Sequence, residues 1–300
     1  MGEPRMTGER IVVVGDVIND IVVVPRGEVR PDTDTASTIR LRPGGSAANT
    51  AVWLGSLGAP VDFVGSVGLD DVAEHERVFR DAGVEPYLQV SSAEPTGTIV
   101  ILVDGERRTM LTERGANSSL SSSAVTDELL ADAGVLHISG YSILDGFGVP
   151  GARDLIDRAT AAGVPVSVTP GSSGYITDFG AEPFLEAIAG TTVVFPNLAE
   201  GALLSGQSDP LKIGAALRER FEVVVLTMGA EGLIVFEGKA NVRVPAPLIQ
   251  HIVDPTGAGD ALAAGFLDRW VTDRNAVVAA ETGAFVAARA IMVIGGRPPI

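Results

Sequence analysis

The sequence predicts an α/β fold with a central, mostly parallel sheet flanked by helices, and a small second β-sheet. The second half of the chain alternates short β-branched runs with segments of helical composition, which is typical of βαβ units. Two stretches interrupt this alternation and have the pattern of exposed strands. The chain has 300 residues and no cysteine, so its core must form without disulfides.

The elements follow from this pattern in order. Strands are predicted where apolar, β-branched runs end at glycine or polar residues: Ile11–Val14, Val61–Val67, Val135–Ser139, Val164–Val168, Thr192–Phe195 and Glu222–Thr227. Helices are predicted in the segments between them: Ala47–Leu57, Asp71–Ala82, Gly151–Ala162, Leu198–Leu204, Leu211–Arg220, Ala258–Trp270 and Ala276–Ala290.

The two interrupting stretches are Asp20–Pro43 and Thr96–Thr112. The second predicts a hairpin with Asp104-Gly105 at its turn. These stretches form either a separate small sheet or edge strands of the main sheet, and we favour the separate sheet.

Composition excludes several classes of protein. The 22 Lys and Arg against 38 Asp and Glu give a net charge of −16, which disfavours binding to nucleic acid or to an anionic membrane surface. The absence of cysteine excludes a thiolate nucleophile, and the three histidines lie far apart in the sequence. The polar N-terminus and the lack of a long apolar run predict neither signal peptide nor membrane span. A cytoplasmic enzyme is the expected class.

The strongest motif is the DPTGAGD segment, Asp254–Asp260, which precedes a predicted helix. Its glycines and the helix start direct several N–H groups toward one point, which suits a phosphoryl group. Asp260 stands beside this anion hole, where a carboxylate can accept a proton from a hydroxyl. The alternative is a helix cap after a glycine-rich turn. The spacing fits neither a Walker loop nor a dinucleotide-binding loop.

Two further segments predict contacts to a polyol. Gly44-Gly45-Ser46 permits close approach of a ligand to the backbone, and Asn49 offers both a donor and an acceptor. The Gly44-Gly45-Ser46 segment also fits an ordinary glycine turn in which Ser46 caps the following helix. Asp16 and Asp20 follow the first strand, where ligands bind in open α/β sheets, or they are solvated loop residues.

Together these segments resemble the ribokinase (PfkB) carbohydrate kinase family. GGSAAN at residues 44–49 and DPTGAGD at residues 254–260 are similar to its two signature regions. Three shorter motifs of the family follow the same order: RGAN at 114–117, NLAE at 197–200 and TMGAEG at 227–232. The resemblance extends over about residues 10–297 and implies one ribokinase-like domain over residues 1–300, with lid segments at about 20–42 and 96–112.

The resemblance assigns the chemistry. It implies transfer of the γ-phosphoryl of ATP to a hydroxyl, with Asp260 as base and the backbone of Gly257, Ala258 and Gly259 as anion hole. The helix dipole predicts that Asp260 is ionised at pH 7. The substrate-binding residues that it implies are Asp20, Gly44, Gly45 and Asn49, with Asp16 held as the alternative to Asp20.

It also assigns the nucleotide and metal sites. Thr227, Gly229 and Gly232 are implied to bind ATP. Asn197 and Glu200 are implied to hold Mg²⁺ through waters, although the same pair also fits a helix capping box. Asp254 and Thr256 match positions that bind a monovalent cation such as K⁺ in some members.

The resemblance also leads to expectations about the acceptor substrate and the oligomeric state. We expect a small sugar or sugar acid, because the 15 aromatic residues leave few candidates to enclose a nucleobase. A nucleoside kinase of the same family is the alternative, and a non-catalytic sugar or nucleotide sensor is a third hypothesis. Pairing of lids into a homodimer is implied in several members, and an apolar lid face of Val22, Val24, Ile99 and Ile101 would favour it.

Overall fold

The structure is a computed structural model that describes residues 10–104 and 107–299. The polar N-terminus and the turn of the predicted hairpin, residues 105–106, lie outside these ranges. The described residues form 13 strands: β1 Arg10–Val14, β2 Ile18–Pro25, β3 Ser37–Gly44, β4 Val61–Gly68, β5 Val84–Ser91, β6 Gly97–Asp104, β7 Arg107–Glu113, β8 Ala133–Ser139, β9 Val166–Thr169, β10 Val193–Val194, β11 Val223–Thr227, β12 Leu233–Glu237 and β13 Ala240–Val244.

Helices connect these strands: α1 Ser46–Ser56, α2 Val72–Asp81, α3 Asp127–Ala131, the single turn α4 Gly140–Ser142, α5 Gly148–Ala161, α6 Ser173–Phe179, α7 Ala181–Ala187, α8 Leu198–Ser205, α9 Pro210–Leu217, α10 Ala258–Asp273 and α11 Ala276–Ala290. A π-helical turn, Ile143–Phe147, joins α4 to α5.

Nine strands form the large sheet, in the order β13-β12-β11-β10-β9-β8-β1-β4-β5. From β11 to β5 every neighbouring pair is parallel, whereas β12 and β13 are antiparallel. The predicted α/β class and its parallel sheet are therefore confirmed. The sequence pattern missed β5, α6 and α7, because none of them stands out as an isolated β-branched run or a long amphipathic segment. It also missed β12 and β13, which form an antiparallel hairpin where continued strand–helix alternation would place a helix.

Helices cover both faces of this sheet. The alternation along β1 sends Ile11 and Val13 into one layer of the core and Val12 and Val14 into the other. The first layer is filled by α1, α2, α10 and α11, and the second by α5, α7, α8 and α9. Buried helices on both faces explain why the strands read as continuous apolar runs.

The two irregular stretches form a second sheet of four strands, in the order β3-β2-β6-β7. The outer pairs are antiparallel and the central β2–β6 pair is parallel. The separate small sheet favoured from the sequence is therefore confirmed, and edge strands of the main sheet are excluded.

The register of the small sheet separates its two faces. Asp20, on β2, lies on the same face as Arg108, on β7, and both approach the large sheet. The opposite face, called the outer face below, carries seven apolar residues: Ile21, Val23, Ile39, Leu41, Val100, Leu102 and Leu111.

The four apolar residues expected on an exposed lid face, Val22, Val24, Ile99 and Ile101, do share one face of the sheet, but it is the face that carries Asp20. Val24 is 43% exposed there, whereas Ile101 is only 8% exposed. Leu41 and Leu111, on the outer face, are 76% and 62% exposed. Within the described ranges, no helix has the length and apolar character needed to cross a membrane.

Candidate active site

The site lies where the carboxyl ends of the large-sheet strands meet the small sheet. Asp16 directly follows β1 and its carboxylate accepts hydrogen bonds from the N–H groups of Ser46, at 2.7 Å, and Ala47, at 3.2 Å. Ser139 Oγ donates to the same carboxylate at 2.8 Å. Asp16 is buried and fixes the start of α1, since its oxygens satisfy helix N–H groups that have no intrahelical partner.

Asp260 lies in the first turn of α10 and contacts α1 through both carboxylate oxygens. Ser46 Oγ donates to Oδ1 at 2.7 Å, and Asn49 Nδ2 donates to Oδ2 at 3.0 Å. Burial raises the pKa of Asp260 to about 7, and the charge of Asp16 acts in the same direction, against the two donors and Arg297. Asp260 is therefore less readily ionised at pH 7 than the helix dipole alone predicts, because burial disfavours the charged carboxylate.

Arg297, which the sequence motifs did not single out, lies behind Asn49. Its Nε donates to Asn49 Oδ1 at 3.1 Å, and its Nη2 donates to the carbonyl of Gly44 at 2.8 Å. Arg297 is only 9% exposed, and burial lowers its pKa to about 10. The only signal in the sequence is an arginine directly after the pair Gly295-Gly296, at the end of an apolar helix.

Asp20 projects from β2 toward the same site. Burial raises the pKa of its carboxyl to about 6, although the nearby charge of Arg297 partly offsets this effect. A Cβ on Gly44 would lie 2.2 Å from Asp20 Oδ2, so a larger residue at position 44 would displace this carboxylate. Gly45 has φ of +97°, and a Cβ there would lie 2.4 Å from the carbonyl oxygen of Asp16. The structure thus brings Asp20, Gly44, Gly45, Asn49 and Asp260 together.

The DPTGAGD loop leads into α10. Gly257 has φ of +76°, and a Cβ on it would lie 2.5 Å from the Cα of Gly296. Gly259 faces open space, with no heavy atom within 4 Å of the position of its Cβ. The N–H of Ala258 donates to Pro255 O at 3.3 Å, and the first intrahelical bond is Ala261 N to Gly257 O. The free space beside Gly259 is where an anion can approach the helix start.

Asp254 and Thr256 interact with Arg108 from the small sheet. Arg108 Nη1 lies 2.8 Å from Asp254 Oδ1 and also contacts Thr256 Oγ1. The other carboxylate oxygen of Asp254 accepts from Gly295 N at 3.0 Å. Burial opposes ionisation of Asp254, but the hydrogen bonds from Thr256, Gly295 and Arg108 hold its pKa below the usual value. A guanidinium therefore already neutralises this carboxylate.

A cavity of about 450 Å³ lies beside the loop, between β11 and β12 on one side and α10 and α11 on the other. Thr227, Gly229 and Gly232 line it, together with Gly259 and mostly apolar side chains. Gly232 has φ of +86°, and a Cβ there would lie 2.2 Å from Val244 O. The cavity suits a ligand with a flat apolar part, which the apolar side chains would enclose, and a phosphate part, which would reach the start of α10.

Asn197 and Glu200 form the capping box of α8. Glu200 N donates to Asn197 Oδ1 at 2.9 Å, and Asn197 N donates to Glu200 Oε2 at 3.0 Å. Burial raises the pKa of Glu200, partly offset by the hydrogen bonds with Asn197. Among the described residues no cationic side chain pairs with this buried carboxylate, so a hydrated divalent cation would fit beside it. A bridge between Asn197 and Thr227 places the pair next to the cavity.

An arginine and two tyrosines line another side of the site. The Arg114 guanidinium lies 4.1 Å from the Tyr175 ring centroid and 5.2 Å from that of Tyr141, and it pairs with Asp145 at 2.9 Å. Burial and the charges of Asp16 and Asp260 raise the pKa of Tyr141. Tyr141 therefore lies close to the carboxylates of the site.

This chain is similar to known kinases in sequence and in fold. The pfkB family of carbohydrate kinases matches residues 9–300. The ATP-dependent ribose-1-phosphate kinase of Halopiger xanaduensis is 30% identical over 91% of this chain and 88% of its own length. The ribokinase of Haemophilus influenzae is 26% identical over 97% and 94% of the two chains.

Solved structures agree with these sequence relatives. The structure of adenosine kinase from Sinorhizobium meliloti superposes with a TM-score of 0.85 at 26% identity, over 98% of this chain and 97% of that one. The fold is therefore ribokinase-like, and the small sheet occupies the position of the lid. The chain belongs to the PfkB family of carbohydrate kinases and is a kinase whose phosphoryl acceptor is an alcohol group.

Proposed function

We propose that this protein transfers the γ-phosphoryl of ATP to a hydroxyl of a small sugar or sugar acid. The observation that carries this proposal is the position of Asp260, which lies at the start of α10 between the open space at Gly259 and the polar group Asp20, Gly44 and Asn49. A hydroxyl bound to that polar group and a phosphoryl at the helix start would meet at this carboxylate.

Asp260 acts as the general base in this proposal. Each of its oxygens accepts one hydrogen bond, from Ser46 and Asn49, and retains a lone pair for the acceptor hydroxyl. A pKa of about 7 lets it take up the hydroxyl proton as the phosphoryl is transferred. The N–H groups at Gly257 and Gly259 would stabilise the negative charge of the phosphoryl oxygens, and the Ala258 N–H would join them by giving up its 3.3 Å bond to Pro255 O.

The remaining residues bind the two substrates. Asp20 and Asn49 would hold hydroxyls of the acceptor, and Gly44 and Gly45 would let it approach the backbone. Thr227, Gly229 and Gly232 would contact ATP in the apolar cavity. Asn197 and Glu200 would hold a hydrated Mg²⁺, which neutralises phosphate charge when it is bound. The small sheet would then exclude water from the closed site.

The small sheet also supports a homodimer. Its outer face carries seven apolar side chains, of which Ile39, Leu41 and Leu111 are 62%, 76% and 62% exposed. A second copy of this chain would cover the face through a two-fold axis, the commonest symmetry of soluble oligomers.

A nucleoside acceptor is the second candidate. Tyr141 and Tyr175 lie edge to face, with ring centroids 5.8 Å apart, close to Asp16. Such rings can enclose a nucleobase, and a 26% identical solved structure is that of an adenosine kinase. We place the sugar first because the Tyr175 ring is already covered by Arg114, 4.1 Å away.

The test is acceptor-dependent release of ADP. Purified protein with ATP and Mg²⁺ would be offered free pentoses and hexoses, sugar phosphates, sugar acids and nucleosides at equal concentration. Turnover of sugars or sugar acids supports the proposal, and turnover of nucleosides alone supports the second candidate. Binding of ATP without turnover of any acceptor would point to a sensor instead.

A further inference from the structure

Residues 295–297 pass over the first half of α1 and contact Asn49, on the side of its amide opposite to Asp260. Gly296 O accepts from Trp53 Nε1 at 2.9 Å, and Gly295 N donates to Asp254 at 3.0 Å. A Cβ on Gly296 would lie 2.3 Å from Asn49 Nδ2, so the segment packs directly against that amide. Arg297 is thereby held at a fixed place between α1 and the small sheet.

We propose that Arg297 is a positioning residue for phosphoryl transfer, because it fixes the Asn49 amide so that this amide donates to Asp260. The proposal rests on the proposed function and adds a residue to its site. An amide has one donor end and one acceptor end, and a guanidinium has donors only. Arg297 Nε at 3.1 Å therefore requires Oδ1 of Asn49 on its side, which leaves Nδ2 to face Asp260 at 3.0 Å.

The guanidinium fork makes this role specific to arginine. Nε contacts Asn49 while Nη2 contacts Gly44 O at 2.8 Å, so one rigid plane sets the amide and the glycine turn together. Phe79 supports the plane, with its ring centroid 5.6 Å from the guanidinium carbon. A lysine ammonium could retain the charge but could not reproduce both contacts in this geometry.

The positive charge of Arg297 also lies close to three carboxylates of the site. Its charge interacts with Asp20, Asp16 and Asp260, which lie on three different elements. His75, on α2, faces it from the far side, and burial together with this same charge lowers the pKa of His75. Tyr141 faces Asp260 from α4. Loss of Arg297 would therefore leave three mutually repelling carboxylates and raise the pKa of Asp260 further.

The test compares Arg297→Met, Arg297→Lys and the control Arg158→Met. Arg158 also donates to two backbone carbonyls, Ser122 O and Val125 O, but lies on α5 outside the site. Aspartate ¹³C NMR, assigned with Asp260→Asn, follows the titration of Asp260 in each protein without any substrate. Steady-state kinetics on the best acceptor give kcat and the KM for ATP.

We expect Arg297→Met to raise the titration midpoint of Asp260 by about one pH unit, since it removes a neighbouring opposite charge. Arg297→Lys should keep the midpoint near the wild-type value but lower kcat up to about 100-fold, with the KM for ATP unchanged. Arg158→Met should reduce thermal stability only. In an Asn49→Ala background, Arg297→Lys should cause no further loss of kcat.

An unchanged Asp260 titration in Arg297→Met, or wild-type kcat in Arg297→Lys, would overturn the proposal. Additive losses for Asn49→Ala and Arg297→Lys would also contradict it, because Arg297 would then act independently of Asn49. If Arg297→Met does not fold, the kcat of Arg297→Lys decides. If the wild type phosphorylates no acceptor, the proposed function fails, whereas the NMR titration still tests the link from Arg297 to Asp260.

Discussion

The guanidinium of Arg108, on strand β7 of the small sheet, lies 2.8 Å from the carboxylate of Asp254 at the start of the glycine-rich loop. This ion pair joins residues 146 positions apart and links the lid directly to the glycine-rich loop. It also places a positive charge where the resemblance implied a monovalent cation. Potassium could bind Asp254 only if Arg108 moved away, so we propose that Arg108 supplies this charge.

The first prediction concerns that charge. Wild-type protein should turn over at equal rates in potassium, sodium and tetramethylammonium chloride, because Asp254 is already neutralised. Arg108→Met should lose activity and regain part of it in potassium only. The control is Arg40→Met, an exposed arginine of the same sheet. Severalfold activation of the wild type by potassium would show that Asp254 and Thr256 bind the cation after all.

The second prediction concerns Asp20, whose pKa is raised by burial to about 6. A carboxyl with a higher pKa in the folded than in the unfolded state destabilises the fold as pH rises from about 4 to about 6. Asp20→Asn should therefore raise the melting temperature by a few degrees at pH 8 and leave it unchanged at pH 4. The same variant should raise the KM for the acceptor, because Asp20 is proposed to hold its hydroxyls.

Either measurement on Asp20→Asn, the melting temperature or the KM for the acceptor, can contradict this prediction. A lower melting temperature at pH 8 would mean that Asp20 is stabilised by its neighbours when ionised. An unchanged KM for the acceptor would mean that Asp20 does not bind the substrate, and Asp16 would then be the candidate for that role.

The third prediction compares two glycines of one loop. Gly259→Ala adds a methyl group to open space in the first turn of a helix, so the fold should be retained while the phosphoryl site is narrowed. Gly257→Ala introduces a residue at φ of +76° and a contact of 2.5 Å with Gly296, so it should also lower the melting temperature. Melting curves and the KM for ATP separate the two effects. Full activity in Gly259→Ala would exclude the loop as the anion hole.

The sequence predicted those parts of the fold that a local pattern determines. Alternating β-branched runs and helices gave the parallel sheet, and the interrupting stretches gave the small sheet. Strands β12 and β13 were missed because a hairpin added to the edge of a parallel sheet breaks the expected strand–helix alternation. The sequence did not show that the face with Val22, Val24, Ile99 and Ile101 is the one that approaches the large sheet, because alternation separates two faces but does not say which one meets the core.

In the candidate site, too, local motifs predicted some features and missed those that depend on the whole fold. The motifs located Asp260, Asn49 and Asp20, which come together in space. They could not give the pKa of Asp260, since burial depends on the whole fold. Arg297 was missed because its contact with Asn49 spans 248 positions and no local pattern records it.

The fourth prediction concerns the outer face of the small sheet. We expect the wild type to be a dimer by light scattering, and Leu41→Glu or Leu111→Glu to be monomers, since a buried charge would oppose pairing. The matched control is Leu211→Glu, whose side chain is 52% exposed on α9, a helix that packs against β11 and β12 of the large sheet. A monomeric wild type, or a dimer that survives both substitutions, would contradict the proposed assembly.

The central claim, that Asp260 is the base, is tested most directly by acceptor-dependent ADP formation from pH 5 to pH 9 in the wild type and in Asp260→Asn. The base works only when ionised, so kcat/KM of the wild type should fall as pH drops through about 7. Asp260→Asn should lose roughly 10²- to 10⁴-fold in kcat while calorimetry still shows ATP binding. A wild-type rate that stays flat down to pH 5, or an Asp260→Asn variant that keeps its turnover, would contradict the claim.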